Sequence, residues 1–192
     1  MKIKKEKLFA WANTFEYCQF SRTKKKDGSF AELFAIGAKQ KYTSLSSLSS
    51  EKGWVFGFLS YDLKNEFESL SSNNEIIFDV PNIFFFEPKY VFKLLGNEYI
   101  QIWGESTKGV FDVNRVGVID TNKIVFDLPF HNSDYINKVN EIKQEIQLGN
   151  LYETNFCIPF IASEISFDAV EVFLELDQIT KAPFTSFLKL KN

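Results

Sequence analysis

In 192 residues the chain has one histidine, one methionine and two cysteines. Cys18 and Cys157 are too few and too far apart in sequence for a disulfide scaffold or a zinc site. A reduced, cytoplasmic and metal-free protein is therefore the expectation. No glycine-rich phosphate loop, HExxH or CxxC occurs. No apolar run approaches the roughly 20 residues of a membrane span. The basic start from Met1 to Lys7 is followed only by Leu8, Phe9, Ala10 and Trp11 before polar residues return, short of a secretory apolar core. The net charge of −3 gives no broad footprint for nucleic acid. Lys24-Lys25-Lys26, followed by Asp27-Gly28, reads as a solvated turn.

Apolar residues, by contrast, are plentiful: they make up 45% of the chain and include 22 phenylalanines, which excludes a disordered protein. The length suits one domain with a sizeable core, or part of a larger one. Strands are predicted at Asn13 to Gln19, at Phe30 to Ile36 with Gly37 breaking it, and at Trp54 to Ser60. Thr43 to Ser50 reads as a Ser/Leu loop. Gly57, inside the third strand, points to close approach of another backbone or side chain. A helical turn is predicted from Tyr61 to Phe67, then a polar loop from Ser69 to Glu75. Short β runs follow at Ile83 to Phe86, Tyr90 to Leu95 and Tyr99 to Trp103, with Glu87-Pro88 and Gly96-Asn97 as turns, the latter of hairpin type.

Gly104 to Asn122 reads as a polar excursion, and Lys123 to Asp127 as a short strand. Tyr135, Ile136, Val139, Ile142 and Ile146 recur at helical steps, giving a helix from Asp134 to Leu148, capped by Asn132 or Ser133 and ended by Gly149. Leu151, Phe156, Ile158 and Phe160 read as a strand entering a sheet. A second helix, capped by Ser163 or Ser166, carries Phe167, Val170, Phe173, Leu174 and Leu176 and ends near Thr180, ahead of Pro183. Thr185 to Leu190 reads as a last strand. The expected fold class is α+β with mainly antiparallel sheet, over residues 1–192 as one unit.

The segment Gly149-Asn150-Leu151-Tyr152-Glu153-Thr154-Asn155, a helix end followed by Tyr-x-x-Asn, resembles the chorismate-utilising enzymes: component I of aminodeoxychorismate synthase and of anthranilate synthase. Three more segments carry the resemblance in the same order. They are Gly53-Trp54-Val55-Phe56-Gly57-Phe58-Leu59-Ser60-Tyr61-Asp62-Leu63, Phe84-Phe85-Phe86-Glu87-Pro88, and Lys181-Ala182-Pro183-Phe184-Thr185-Ser186-Phe187-Leu188. Asn155 and the Ala-Pro-Phe form lean toward aminodeoxychorismate synthase, the para-aminobenzoate synthase of folate biosynthesis. Glu153 departs from the family's usual glutamine.

The resemblance implies an N-terminal component I region, with residues 131–192 beginning the chorismate-binding domain of an anthranilate synthase-like fold. It implies an amination of chorismate to 4-amino-4-deoxychorismate with magnesium and a glutamine amidotransferase subunit. The family's chorismate and magnesium sites come after the position of Asn192, so this chain by itself is expected to hold no magnesium, to contribute no catalytic residue and to be inactive. Anthranilate synthase component I and a non-catalytic module that binds a small molecule or a partner are the alternatives. The resemblance also implicates Tyr152, Pro183 and Phe184 in a tryptophan pocket, against the alternative that all three pack the core. Phe15-Glu16-Tyr17-Cys18 matches the pocket's N-terminal element but lacks its serine, and Ser21-Arg22 is a second source of polar lining. His131, the one candidate general base, has no marked nucleophile or paired carboxylate and reads as structural or exposed. An unpaired edge at Thr185 to Leu190 would favour a homodimer.

Overall fold

The computed structural model describes residues 2–48, 53–71, 79–107, 111, 124–127, 131–162 and 165–191. The chain divides into two compact units, Met1–Val116 with Ala169–Asn192, and Gly117–Asp168. The fold class is α+β, with a sheet in which every pairing is antiparallel.

In the first unit, β1 (Lys2–Ile3), α1 (Lys5–Ala12), β2 (Tyr17–Lys24), β3 (Phe30–Tyr42), β4 (Phe56–Leu59), α2 (Lys64–Phe67), β5 (Ile83–Leu95), β6 (Glu98–Trp103), α4 (Ala169–Thr180) and β7 (Phe184–Leu190) follow in order, with α3 (Asn132–Gln147) lying in the other unit. Among the described residues the sheet has seven strands in the order β1-β6-β5-β3-β2-β7, with β4 added on β5.

The two faces follow from strand alternation. On one, Cys18, Phe20, Phe34, Ile36, Phe92 and Tyr99 meet Leu8, Phe9 and Trp11 of α1 and Val170, Phe173 and Leu174 of α4. Phe9 is central: its ring lies 4.5 Å from that of Phe34 and 5.3 Å from that of Phe20. On the other face, Tyr17, Ala35, Phe56, Phe84, Phe86 and Val91 form a second aromatic cluster.

The turn over Lys25 to Ser29 forms as expected, with Gly28 at φ +83° and the Asp27 carboxylate accepting from the Ser29 amide and hydroxyl. The Gly96-Asn97 hairpin and the helical turn after Ser60 form as well.

Four of the expected strands are corrected. A helix, α1, occupies Lys5–Ala12, and the strand expected at Asn13 to Gln19 follows it at Tyr17–Lys24. Leu8 through Ala12 are all buried, so after its largely exposed first turn the helix has no polar position to reveal its period. Gly37 does not break β3, which runs on to Tyr42, and Glu87-Pro88 is no turn but the middle of β5. One irregularity explains both: the register shifts between Ala38 and Gln40, opposite Pro88 and Glu87. A bulge is where a proline without an N–H is tolerated inside a sheet.

The third correction is at Trp54 to Ser60, where the strand is shorter, Phe56–Leu59, with Phe56 its buried side chain. The fourth concerns Leu151 to Phe160, which forms no strand. The nearest described pairing is the bridge of Asp127 with Ile161, just after that run; of the strand expected at Lys123 to Asp127, Lys123 lies outside the described residues and Ile124 to Phe126 form no strand. A strand needs a ladder partner, and apolar residues alone do not supply one.

In the second unit α3 spans Asn132–Gln147, with His131 rather than Asn132 or Ser133 as its N-cap and the His131 N–H donating to Asp134 at 3.4 Å. Gly149 ends it in the left-handed conformation, φ +79°. α4 starts at Ala169, later than caps at Ser163 or Ser166 would place it; Ser163 lies outside the described residues, as do Ser72 to Glu75 and most of Gly104 to Asn122.

Candidate functional site

The corner where β2 meets the start of β7 gathers most of the chemistry of the first unit. The turn over Lys25 to Ser29 folds β3 back on β2 so that Arg22 lies directly opposite Glu32. β7 runs antiparallel on the other side of β2, with Thr23 opposite Phe184 and Arg22 opposite Thr185. The Arg22 guanidinium donates to the Thr185 hydroxyl at 2.9 Å and to the Ala182 carbonyl at 3.3 Å. From α4, Asp177 receives Nη1 at 3.0 Å, while Nη2 stands 2.5 Å from its other oxygen at an angle that gives charge contact rather than a hydrogen bond. Lys5 of α1 reaches Asp177 at 3.0 Å and Glu32 at 3.5 Å.

The Tyr99 hydroxyl closes the cluster by donating to Glu32. Burial first, and this hydrogen bond second, hold the phenol well above its ordinary value, so it remains a donor. Arg22, Glu32 and Asp177 are 8%, 6% and 7% exposed. Two cations meet two carboxylates, so the cluster is neutral, and the Arg22 Nε and the Asp177 Oδ1 are its buried atoms without a hydrogen-bond partner. Its chemistry is that of a staple joining both helices to the sheet, with no group free to act as acid, base or nucleophile.

Around this cluster the sequence candidates fall as follows. Pro183 and Phe184 are exposed at the mouth of the corner, Phe184 by 72%, and the Pro183 carbonyl accepts the Lys24 amide at 2.7 Å. Tyr152 belongs to the other unit, where it is 93% exposed. None of the three packs a core. Phe15-Glu16-Tyr17-Cys18 lies at the far end of β2, with Tyr17 opposite Leu190. That is roughly 20 Å from Phe184 at about 3.3 Å per strand residue. Ser21-Arg22 instead lies beside the Ala182 to Thr185 turn, and the Arg22 guanidinium stacks 4.7 Å from the Phe30 ring. His131 caps α3 and is exposed. Glu32, Asp177, Lys5 and Tyr99 were not singled out from sequence. An Arg and a Glu at equal distances from a hairpin turn was the available signal.

The two thiols differ in environment. Cys18 is buried, which pushes its thiol up to about 12, whereas Cys157 is exposed. A disulfide reagent should therefore titrate Cys157 alone in the native protein and reach Cys18 only in denaturant. Equal native rates for both thiols would contradict the packing of β2.

Among the described residues, no helix is long and apolar enough to cross a membrane, and no group of three or more His, Cys, Asp or Glu is placed to hold a metal. No protein-family model matches the chain, and no curated protein matches it.

Proposed function

We propose that this chain is the N-terminal region of component I of an aminodeoxychorismate synthase, a transferase-type enzyme that aminates chorismate with ammonia from a glutamine amidotransferase subunit. The reading rests on four family-like segments in order, and one observation of the fold supports it above the others. Two of these segments are neighbours in the sheet: Phe56, Gly57, Phe58 and Leu59 pair with Phe86, Phe85, Phe84 and Ile83. Ser60, which opens the Ser-Tyr-Asp turn, extends that pairing through its hydroxyl to Asn82 at 2.7 Å. A third segment supplies β7, which ends the strand order and leaves an edge suited to association between chains.

On this reading the magnesium ion and the acid and base groups belong to residues after Asn192. Pro183 and Phe184 supply an apolar wall for tryptophan beside the Arg22 corner. Arg22 is already committed to Asp177, so an amino-acid ligand would be held there by its ring and by backbone partners rather than by that charge.

The test is turnover. The protein encoded by the complete gene, given chorismate, ammonium and magnesium, is expected to form 4-amino-4-deoxychorismate, and residues 1–192 alone are expected to form nothing. Anthranilate as product would move the protein to the sister enzyme. Turnover by residues 1–192 would refute the placement of the site. No product from either, together with a tryptophan-dependent rise in melting temperature, would favour the non-catalytic binding module.

A further inference from the structure

The bulge in β3 has a second consequence, away from the Arg22 corner. It makes Lys39 the extra residue between Ala38 and Gln40, and bulges re-aim side chains. Lys39 and Lys41 of β3 and Lys89 of β5 line one cleft of about 350 Å³, whose rim includes Phe15, Glu16 and Tyr17. Lys39 and Lys89 also line a neighbouring cleft of about 290 Å³ with Tyr90 and Glu105. These volumes lie at the lower end of the roughly 300–1,000 Å³ span of small-molecule sites.

The concave surface is net positive, with three lysines against the Glu16 carboxylate in the first cleft and two against Glu105 in its neighbour. Among the described residues, no carboxylate comes within ion-pair distance of any of the three ammonium groups. Two are held by aromatic groups instead. The Lys41 ammonium donates to the Tyr17 hydroxyl at 3.3 Å and stands 5.0 Å from its ring, and the Lys39 ammonium lies 5.9 Å from the Trp103 ring. Aromatic contacts fix the direction of an ammonium without neutralising it. Tyr17 is itself fixed, its ring stacked 5.6 Å from that of Phe84. On the rim, the Glu16 carbonyl is tied to the Lys191 amide at 2.7 Å. Three ammonium groups and one lining carboxylate, Glu16, leave the cleft a net positive field that its concave walls concentrate on an entering anion.

We propose that this cleft binds a small multivalent anion, a phosphate or dicarboxylate, between Lys39, Lys41 and Lys89. The proposal does not depend on the chorismate reading, since it uses none of the four family-like segments except the strand that carries Pro88.

The full chain would be titrated by calorimetry with inorganic pyrophosphate and with malonate, each against sodium chloride of matched ionic strength. Saturable binding of either probe is expected, the tighter of the two assigning the phosphate or the carboxylate source. The Lys39→Gln/Lys89→Gln double variant should weaken it at least tenfold, and a Lys25→Gln/Lys26→Gln control should change it less than twofold. Circular dichroism and melting temperature would establish that both variants fold. Heat that tracks ionic strength alone, equal loss in the control, or tighter binding of a short single-stranded RNA than of pyrophosphate would each overturn the proposal.

Discussion

Replacing Arg22 with leucine is expected to lower stability by about 3–5 kcal/mol, the cost of breaking a buried ion pair from one side. The substitution leaves Asp177 and Glu32 buried with Lys5 as their remaining cation, and it strips donors from the Ala182 carbonyl and the Thr185 hydroxyl. Much of that loss is the penalty on the stranded carboxylates rather than the intrinsic worth of the pair. A second substitution, Asp177→Leu, should therefore recover a large part of it, because the remaining Lys5 and Glu32 still balance. Urea unfolding of the two single variants and the double variant measures the coupling directly. A single-variant loss below about 1 kcal/mol would mean that the guanidinium behaves like an exposed one, against its burial here.

Gly57→Ala is expected to cost about 3 kcal/mol or more, at or above the upper end of the usual range for an overpacked site. A Cβ on Gly57 would stand 2.0 Å from the Phe84 carbonyl oxygen and 2.6 Å from the Phe85 Cα. Both are backbone atoms of β5, so no side-chain rotation relieves the overlap. β4 has β5 as its single described strand partner and must move off it. Gly96→Asn provides the contrast. Gly96 has a positive φ of 64° but open space around its missing Cβ, and asparagine tolerates that conformation. Its cost should stay within about 1 kcal/mol of wild type, near the ordinary glycine preference. Equal losses for the two variants would contradict the close packing of β4 on β5.

Gly57 also shows what could be read from the chain before its structure was known. A glycine inside an apolar strand means close approach, and the approach is there. Turn chemistry at Asp27-Gly28 and Gly96-Asn97, and the glycine at the end of α3, was legible for the same reason: each depends on a few adjacent residues. What could not be read depends on partners distant in sequence. The last five residues of α1, Leu8 to Ala12, are all buried and so carry no stripe. Pro88 signals a turn until its neighbour is known to bulge opposite it. The apolar residues at 156, 158 and 160 alternate like a strand, yet alternation cannot show that a partner strand exists.

The same limit governs the sites. Motif position offered both Phe15 to Cys18 and Ser21-Arg22 as neighbours of Pro183 and Phe184, and it is strand register that brings Ser21-Arg22 beside Thr185. Arg22 looks like an ordinary surface residue in a polar stretch, and its burial follows from α4 returning to cover it with Asp177. Lys39, Lys41 and Lys89 likewise meet through the pairing of β3 with β5, while the conspicuous run at Lys24 to Lys26 makes a turn.

The family reading is tested most directly by genetic complementation. The complete gene that encodes this chain would be expressed in a bacterial strain lacking aminodeoxychorismate synthase component I, and in one lacking anthranilate synthase component I, both grown with abundant ammonium. The first strain is expected to grow without p-aminobenzoate, and the second is expected not to grow without tryptophan. Rescue of the second strain alone, or of neither with the full-length protein present in the cells, would contradict the family reading.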